Sequence, residues 1–196
     1  MSLEATAARS TTRPSEAALL ERAARGDVDA FDVLLTARLD RLFRMAVAIT
    51  RSEADARDAV QDASVLAWRE LPRLRDRSRF DAWLSQILVN ACRGLLRRNR
   101  RMLHREVEID SDDVTDRERR RLNVPSAVDQ MGEIDAIQRA FKRLDPTARS
   151  LIVLHYVEGR PLAEIGRILQ SPVGTIKWRL SNARRALHRA LKAEQS

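Results

Sequence analysis

From Ser15 onward apolar residues recur at helical spacing, and no stretch alternates apolar with polar positions as a half-buried strand would. A helix ahead of Gly26 is followed by a second whose stripe runs through Phe31, Leu34, Leu35, Leu39, Leu42, Phe43 and Ala46. Ser52, with Glu53 and Asp55 behind it, forms an acidic helix start suited to the positive end of a helix dipole. This third helix reaches about Leu71, where Pro72 stops it. A short basic loop, Pro72 to Arg79, leads to a fourth long helix from Phe80 or Asp81 to about Arg100. Between Met102 and Gly132 the periodicity fails. There Glu106, Glu108, Asp110, Asp112, Asp113 and Asp116 precede Arg117, Arg119, Arg120 and Arg121, the pattern of a charged linker with room for a short helix. From Glu133 a stripe resumes through Ile134, Ile137, Ala140, Phe141 and Leu144, ending at Asp145 and Pro146. A helix over Thr147 to Val157, a turn at Glu158 to Arg160 and two more helices complete the chain.

The pattern predicts an all-α protein of two small helical domains. Residues 1–14 read as a disordered tail, 15–102 as the first domain, 103–132 as a flexible linker and 133–196 as the second domain. Composition agrees: six Gly and six Pro interrupt a chain of 196 residues dominated by good helix formers, and only 4% of residues are aromatic. A formal net charge of +8 points to a polyanionic or acidic partner. No apolar run is long enough to cross a bilayer and Met1 to Arg13 lacks the apolar centre of a signal peptide, so no membrane insertion and a cytoplasmic location are expected. Cys92 stands alone, which permits neither an intrachain disulfide nor a cysteine metal site, and reads as a small buried side chain.

The strongest functional signal lies near the C-terminus. A short amphipathic helix from Pro161 to Leu169, a turn from Gln170 to Gly174 and a basic helix from Thr175 make a helix-turn-helix, whose second helix enters the DNA major groove. On a wheel, Val173, Ile176, Leu180, Ala183 and Leu187 form the buried stripe. Thr175, Trp178, Ser181, Asn182 and Arg185 lie opposite, with Lys177, Arg179 and Arg184 on the flanks, where they would reach phosphates. A basic helix is often only a solvated face. Here no acid interrupts Thr175 to Leu191, and a correctly spaced helix precedes it. Trp178 suits either stacking on the groove wall or burial by a small rotation of the helix.

The run RPLAEIGRILQSPVGTIKWRLSNARRALHRAL resembles region 4.2 of sigma-70-type factors of the extracytoplasmic-function group, and DPTARSLIVLHYVEG resembles region 4.1. The resemblance implies that this helix reads the minus-35 promoter element. Asn182 stands where Arg is common and Trp178 where a small residue is common. Because Asn pairs bidentately with adenine and Arg with guanine, Asn182 predicts a different base preference at its position.

In SEADARDAVQDASVLAWREL, Asp55, Asp58 and Asp62 share one side of a helix with Gln61 beside them. With no neighbouring His and no second carboxylate helix, this is neither a metal nor an acid–base site, and by itself it reads as a solvated acidic face. It resembles region 2.2 of the same family, which implies docking of Asp55, Asp58, Gln61 and Asp62 on the clamp helices of the largest subunit of core RNA polymerase. Arg57 and Ser64 depart from the family's pattern.

The helix FDAWLSQILVNACRGLLRRNRR buries Phe80, Leu84, Ile87, Leu88, Ala91 and Leu95 and presents Trp83, Gln86, Asn90, Arg93 and Arg97 along a polar column. It resembles regions 2.3 and 2.4, which implies contact with the opened minus-10 strand through Gln86, Asn90, Arg93 and Arg97, and with phosphates through Arg98, Arg100 and Arg101. The loop with Arg75, Arg77 and Arg79 occupies the family's position for capturing a flipped base. Trp83 reads as core rather than as a melting wedge.

The resemblance further implies binding of the second domain to the polymerase flap, a linker that threads the polymerase, and an anti-sigma factor as a further partner. No cofactor and no enzymatic activity are expected. Promoter elements two turns apart are separated by roughly 70 Å, so both domains engage only when the chain is drawn out. Two other readings account for the sequence less well. An autonomous dimeric helix-turn-helix regulator needs a dimerisation element, and none is evident. A nucleic-acid enzyme needs a His, paired-carboxylate or phosphate-loop constellation, whereas His104, His155 and His188 sit in unrelated settings.

Overall fold

A computed structural model of the chain describes residues 14–107 and 131–194. Most of the expected tail and linker, 1–13 and 108–130, lies outside the described residues, including most of the acidic run. Among the described residues the structure is helical with no strand. The elements are α1 (Glu16–Ala24), α2 (Val28–Thr50), α3 (Glu53–Glu70), α4 (Phe80–Val107), α5 (Met131–Lys142), α6 (Pro146–Ile152), α7 (Leu162–Ile168) and α8 (Val173–Glu194). The helices α4 and α5 extend into both ends of the segment expected as linker.

Helix starts follow side-chain capping. Ser15 accepts from the Ala18 amide, Asp27 from Ala30, Ser52 from Asp55, and Asp145 from Thr147 and Ala148, with Pro146 in the first turn where its missing N–H costs nothing. The bond from Ala30, with Arg22 beside it, holds the Asp27 carboxyl below its ordinary range. The α2 helix stops at Arg51, which adopts a left-handed conformation with φ 68°.

The first domain packs α3 between α2 and α4, with α1 laid on α2. The inward face of α3 is Ala56, Ala59, Ala63 and Ala67, all fully buried, so the neighbouring helices approach closely. Against it lie Leu34, Leu42, Met45 and Ile49 of α2 and Phe80, Leu84 and Leu88 of α4. Truncating one such Leu to Ala costs about 2–5 kcal/mol. In the second domain α8 packs on α5, α6 and α7. The apolar run after Arg149 closes with a wide turn over Val153–Val157, in which the Glu158 amide donates five residues back to Val153.

The two domains share one core. Helix α6 lies against α2 and α4, and α7 against α4, so buried residues from both halves form a single apolar cluster.

Candidate nucleic-acid and protein interfaces

The turn between α7 and α8 is tight because it uses two special backbone positions. Gln170 is left-handed at φ 50°, and the Ser171 amide donates to the Gly166 carbonyl at 2.8 Å. A Cβ on Gly166 would lie 2.9 Å from the Ser171 carbonyl oxygen, so a side chain there would push the two helices apart. Ile165, Ile168, Leu169, Ile176, Leu180 and Ala183 bury the inner angle. The Arg160–Glu164 ion pair, at 2.7 Å, spans the start of α7.

The outward face of α8 matches the wheel with two refinements. Lys177, Ser181, Arg184 and Arg185 are exposed and Thr175, Arg179 and Asn182 are half-buried. Trp178 is 64% exposed, which settles its orientation: it points outward, opposite Ile176 and Leu180. Val173, expected in the buried stripe, is 39% exposed: as the first residue of the helix it touches α7 at Gly166 on one side only. Asn182 is not solitary, since its side-chain carbonyl accepts from Arg185 at 2.5 Å.

On α3, Asp58, Gln61 and Asp62 are exposed and Asp55 is half-buried. Asp55 accepts from Asn99 of α4 at 3.2 Å, and Asp62 pairs with Arg98 at 3.5 Å. These two carboxylates therefore also join α3 to α4, and Asp58 and Gln61 present the outward face. Exposed Val65 and Leu66 continue it one turn further.

The polar column of α4 is also present. Asn90, Arg97, Arg98, Arg100 and Arg101 are exposed, and Gln86 and Arg93 half-buried. Burial, then the charges of Arg97 and Arg179, lowers the pKa of Arg93. Trp83 packs half-buried beside Phe80, ring centroids 5.8 Å apart, in keeping with its reading as core. In the preceding loop Arg75 and Arg79 are exposed and Arg77 is half-buried, and Asp76 caps the short turn Arg77–Arg79 through the Ser78 amide.

Sequence comparison assigns both halves. Residues 34–102 match Sigma-70 region 2 and residues 134–187 match Sigma-70, region 4. The chain belongs to the sigma-70 family. Within it, this sigma factor is 35% identical over 177 residues to the ECF RNA polymerase sigma factor SigM of Mycobacterium tuberculosis, covering 90% of this chain and 85% of that one. It is 29% identical to the RNA polymerase sigma-H factor of Pseudomonas aeruginosa, covering 92% and 96%. Among known structures it resembles CnrH in complex with the cytosolic domain of CnrY, with a TM-score of 0.60, 28% identity and coverage of 89% and 96%. It also resembles the sigma factor RpoE in complex with the anti-sigma factor NepR from Bartonella quintana, with a TM-score of 0.63, 25% identity and coverage of 85% and 97%. The chain is thus an RNA polymerase sigma factor of the extracytoplasmic-function branch, and not an autonomous helix-turn-helix regulator.

Several residues that sequence reasoning passed over lie between the two regions of the sigma factor. Arg149 is 4% exposed, and donates through Nε to the Ile49 carbonyl at the end of α2 (2.8 Å) and through Nη1 to the Leu144 carbonyl (2.6 Å). Burial pushes its pKa down to about 10, so it remains charged at neutral pH. Arg51 donates to the Lys142 carbonyl at 2.6 Å, and Arg41 pairs with Glu158. The available signal was an arginine just ahead of the apolar run Leu151 to Leu154. Among the described residues no helix is long and apolar enough to cross a membrane, and no group of His, Cys, Asp and Glu could hold a metal.

Proposed function

We propose that this sigma factor binds core RNA polymerase and directs promoter-specific initiation with a division of labour between residues 15–102 and 133–196. Asp58 and Gln61, flanked by Asp55 and Asp62, dock on the clamp helices. Gln86, Asn90, Arg93 and Arg97 hold the opened minus-10 strand, with Arg75, Arg77 and Arg79 at the flipped base and Arg98, Arg100 and Arg101 on phosphates. Thr175, Trp178, Ser181, Asn182 and Arg185 face the minus-35 groove, and Lys177, Arg179 and Arg184 grip its backbone. The second domain docks on the polymerase flap.

The observation that carries this reading is the outward face of α8, in which a 64% exposed Trp178 stands among Lys177, Ser181, Arg184 and Arg185 on a helix held by a tight turn. An exposed aromatic in a basic, acid-free surface has a use against the groove wall and none in the core. The acidic patch of α3 and the basic column of α4 meet at the Asp62–Arg98 pair, so protein and nucleic acid would be bound side by side on the first domain. Each domain binds weakly alone, and tethering on polymerase raises the effective concentration of the other. The chain acts as a specificity subunit in the cytoplasm, and supplies no chemistry of its own. An anti-sigma factor controls it, in line with the complexes in which CnrH and RpoE were seen.

The test is run-off transcription with core polymerase, this chain and a genomic fragment library. Specific start sites sharing two spaced elements are expected. Absence of specific initiation would overturn the assignment.

A further inference from the structure

Arginines collect where α4, α6 and α8 meet. Arg93 of α4 and Arg179 and Arg189 of α8 line one cleft of about 480 Å³, with buried Ala148 and Leu151 of α6 at its floor and exposed Trp178 at its rim. None of the three arginines forms an ion pair among the described residues. The carboxylate that lines the cleft, Asp145, is turned to the start of α6, where one oxygen accepts from the Thr147 and Ala148 amides. Burial and the like charges of Arg97 and Arg179 act on Arg93 more strongly than Asp145 does, and hold its pKa below the ordinary value. The cleft therefore carries positive charge that the chain itself leaves uncompensated.

Crowded, partly desolvated cations raise the free energy of a protein unless an anion offsets them. Guanidinium groups present planar forks that match phosphate oxygens, and several converging on one space suit a ligand with several phosphates. An exposed indole at the rim adds a flat face on which a nucleobase can stack. The volume lies within the range of small-ligand sites, roughly 300–1,000 Å³, and is far too small for duplex DNA. Arg189 has no part in the promoter contacts proposed above, and this cleft gives it a partner.

We infer that this cleft binds a nucleoside polyphosphate, with its phosphates on Arg93, Arg179 and Arg189 and its base stacked on Trp178. The inference does not rest on the promoter reading, because it concerns the free chain and a small ligand. The site is assembled from both sigma regions, so the ligand stabilises only the conformation in which they touch, by mass action.

The experiment is titration calorimetry of the full chain with ATP, GTP and inorganic triphosphate in separate runs, at about 0.15 M salt, where attraction to scattered surface charges is screened. A nucleotide should bind at one site, more tightly than inorganic triphosphate by roughly tenfold, the share of base stacking. Trp178→Ala should abolish that difference and leave the affinity for inorganic triphosphate unchanged. Arg189→Gln should weaken all three ligands by roughly tenfold. Arg100→Gln makes the same charge change on an exposed arginine of α4 outside the cleft, and should leave all three unchanged. Trp178, Arg189 and Arg100 are exposed, so the variants should fold, which an unchanged thermal midpoint would verify. No binding of either nucleotide at about 1 mM, equal affinity for nucleotides and inorganic triphosphate, or equal weakening by Arg189→Gln and Arg100→Gln overturns the inference. A short single-stranded oligonucleotide that binds more tightly than either nucleotide, with the same dependence on Arg189 and Trp178, would assign the cleft to the DNA strand and overturn it as well.

Discussion

Arg185 donates to the side-chain carbonyl of Asn182 one turn away on the outward face of α8, at 2.5 Å. Bidentate pairing of Asn with adenine needs both its carbonyl acceptor and its amide donor. With Arg185 on one lone pair of that oxygen, Asn182 keeps one acceptor site and its N–H groups, in an orientation that Arg185 fixes. Base preference at this position is therefore a property of the pair. Arg185→Ala should shift selection on randomised minus-35 boxes toward adenine, and Asn182→Arg toward guanine, each by about 1–3 kcal/mol of discrimination. Identical selected sequences for all three chains would show that the pair reads nothing.

Trp178 is exposed whereas Trp68 and Trp83 are half-buried. Trp178→Ala should leave the thermal midpoint almost unchanged, as expected for a surface change within about 0.5 kcal/mol. It should remove the long-wavelength part of the tryptophan emission and weaken minus-35 duplex binding. A large drop in stability would mean that the side chain is core after all.

At Gly166 the missing Cβ is structural. Gly166→Ala would press a methyl group against the Ser171 carbonyl oxygen, costing about 1–3 kcal/mol as overpacking does. Calorimetry should show a lower midpoint, and duplex binding through α8 should weaken with it. A midpoint equal to that of the wild type would mean that the turn opens without strain.

On α3 the neighbours of Asp58 and Asp55 differ, and so should their variants. Asp58→Ala and Gln61→Ala alter exposed side chains and should reduce affinity for core polymerase by about 1 kcal/mol or more if they sit at the interface centre, with little change in folding. Asp55→Ala also deprives Asn99 of its acceptor, so it should lower stability as well. Equal polymerase affinity in all three chains would move the docking surface elsewhere.

Cys92 is fully buried, and desolvation raises its thiol from 9.0 to about 12. The folded state then holds a proton that the unfolded chain loses near pH 9, so stability is present below that value and is lost as the pH rises toward 12. Cys92→Ala should flatten this part of the stability profile, and a disulfide reagent should label the native thiol only as fast as the chain opens. Rapid labelling at neutral pH would place the thiol at the surface.

Most of the architecture was legible one residue at a time, because helix starts and stops are local events. Ser15, Ser52 and Asp145 cap the helices that follow them. The stripe from Phe80 to Leu95 is almost wholly buried, and the outward column of α8 lies where a 100° wheel puts it. Departures occur at helix ends and at the outer edge of each stripe. Val173 and Ile137 are exposed because the packing of a stripe's edge depends on how the neighbouring helices are placed, and α4 continues to Val107, as helix ends are the least sharply marked feature of a sequence.

The sequence by itself determined an all-helical chain, two sigma-family regions, an acidic face on α3, a basic column on α4 and a helix-turn-helix with its reading face. The two family regions follow from the resemblance of their motifs, and the rest from periodicity, capping and charge along a single helix, which no distant residue needs to complete. Only the tertiary structure decided that Trp178 points outward, that Asp55 and Asp62 are shared with Asn99 and Arg98, and that Asn182 is paired. It alone brought Arg149 to Ile49, 100 residues away in sequence. A buried guanidinium finds its acceptors at the ends of whichever helices pack around it, and that packing is a property of the whole chain.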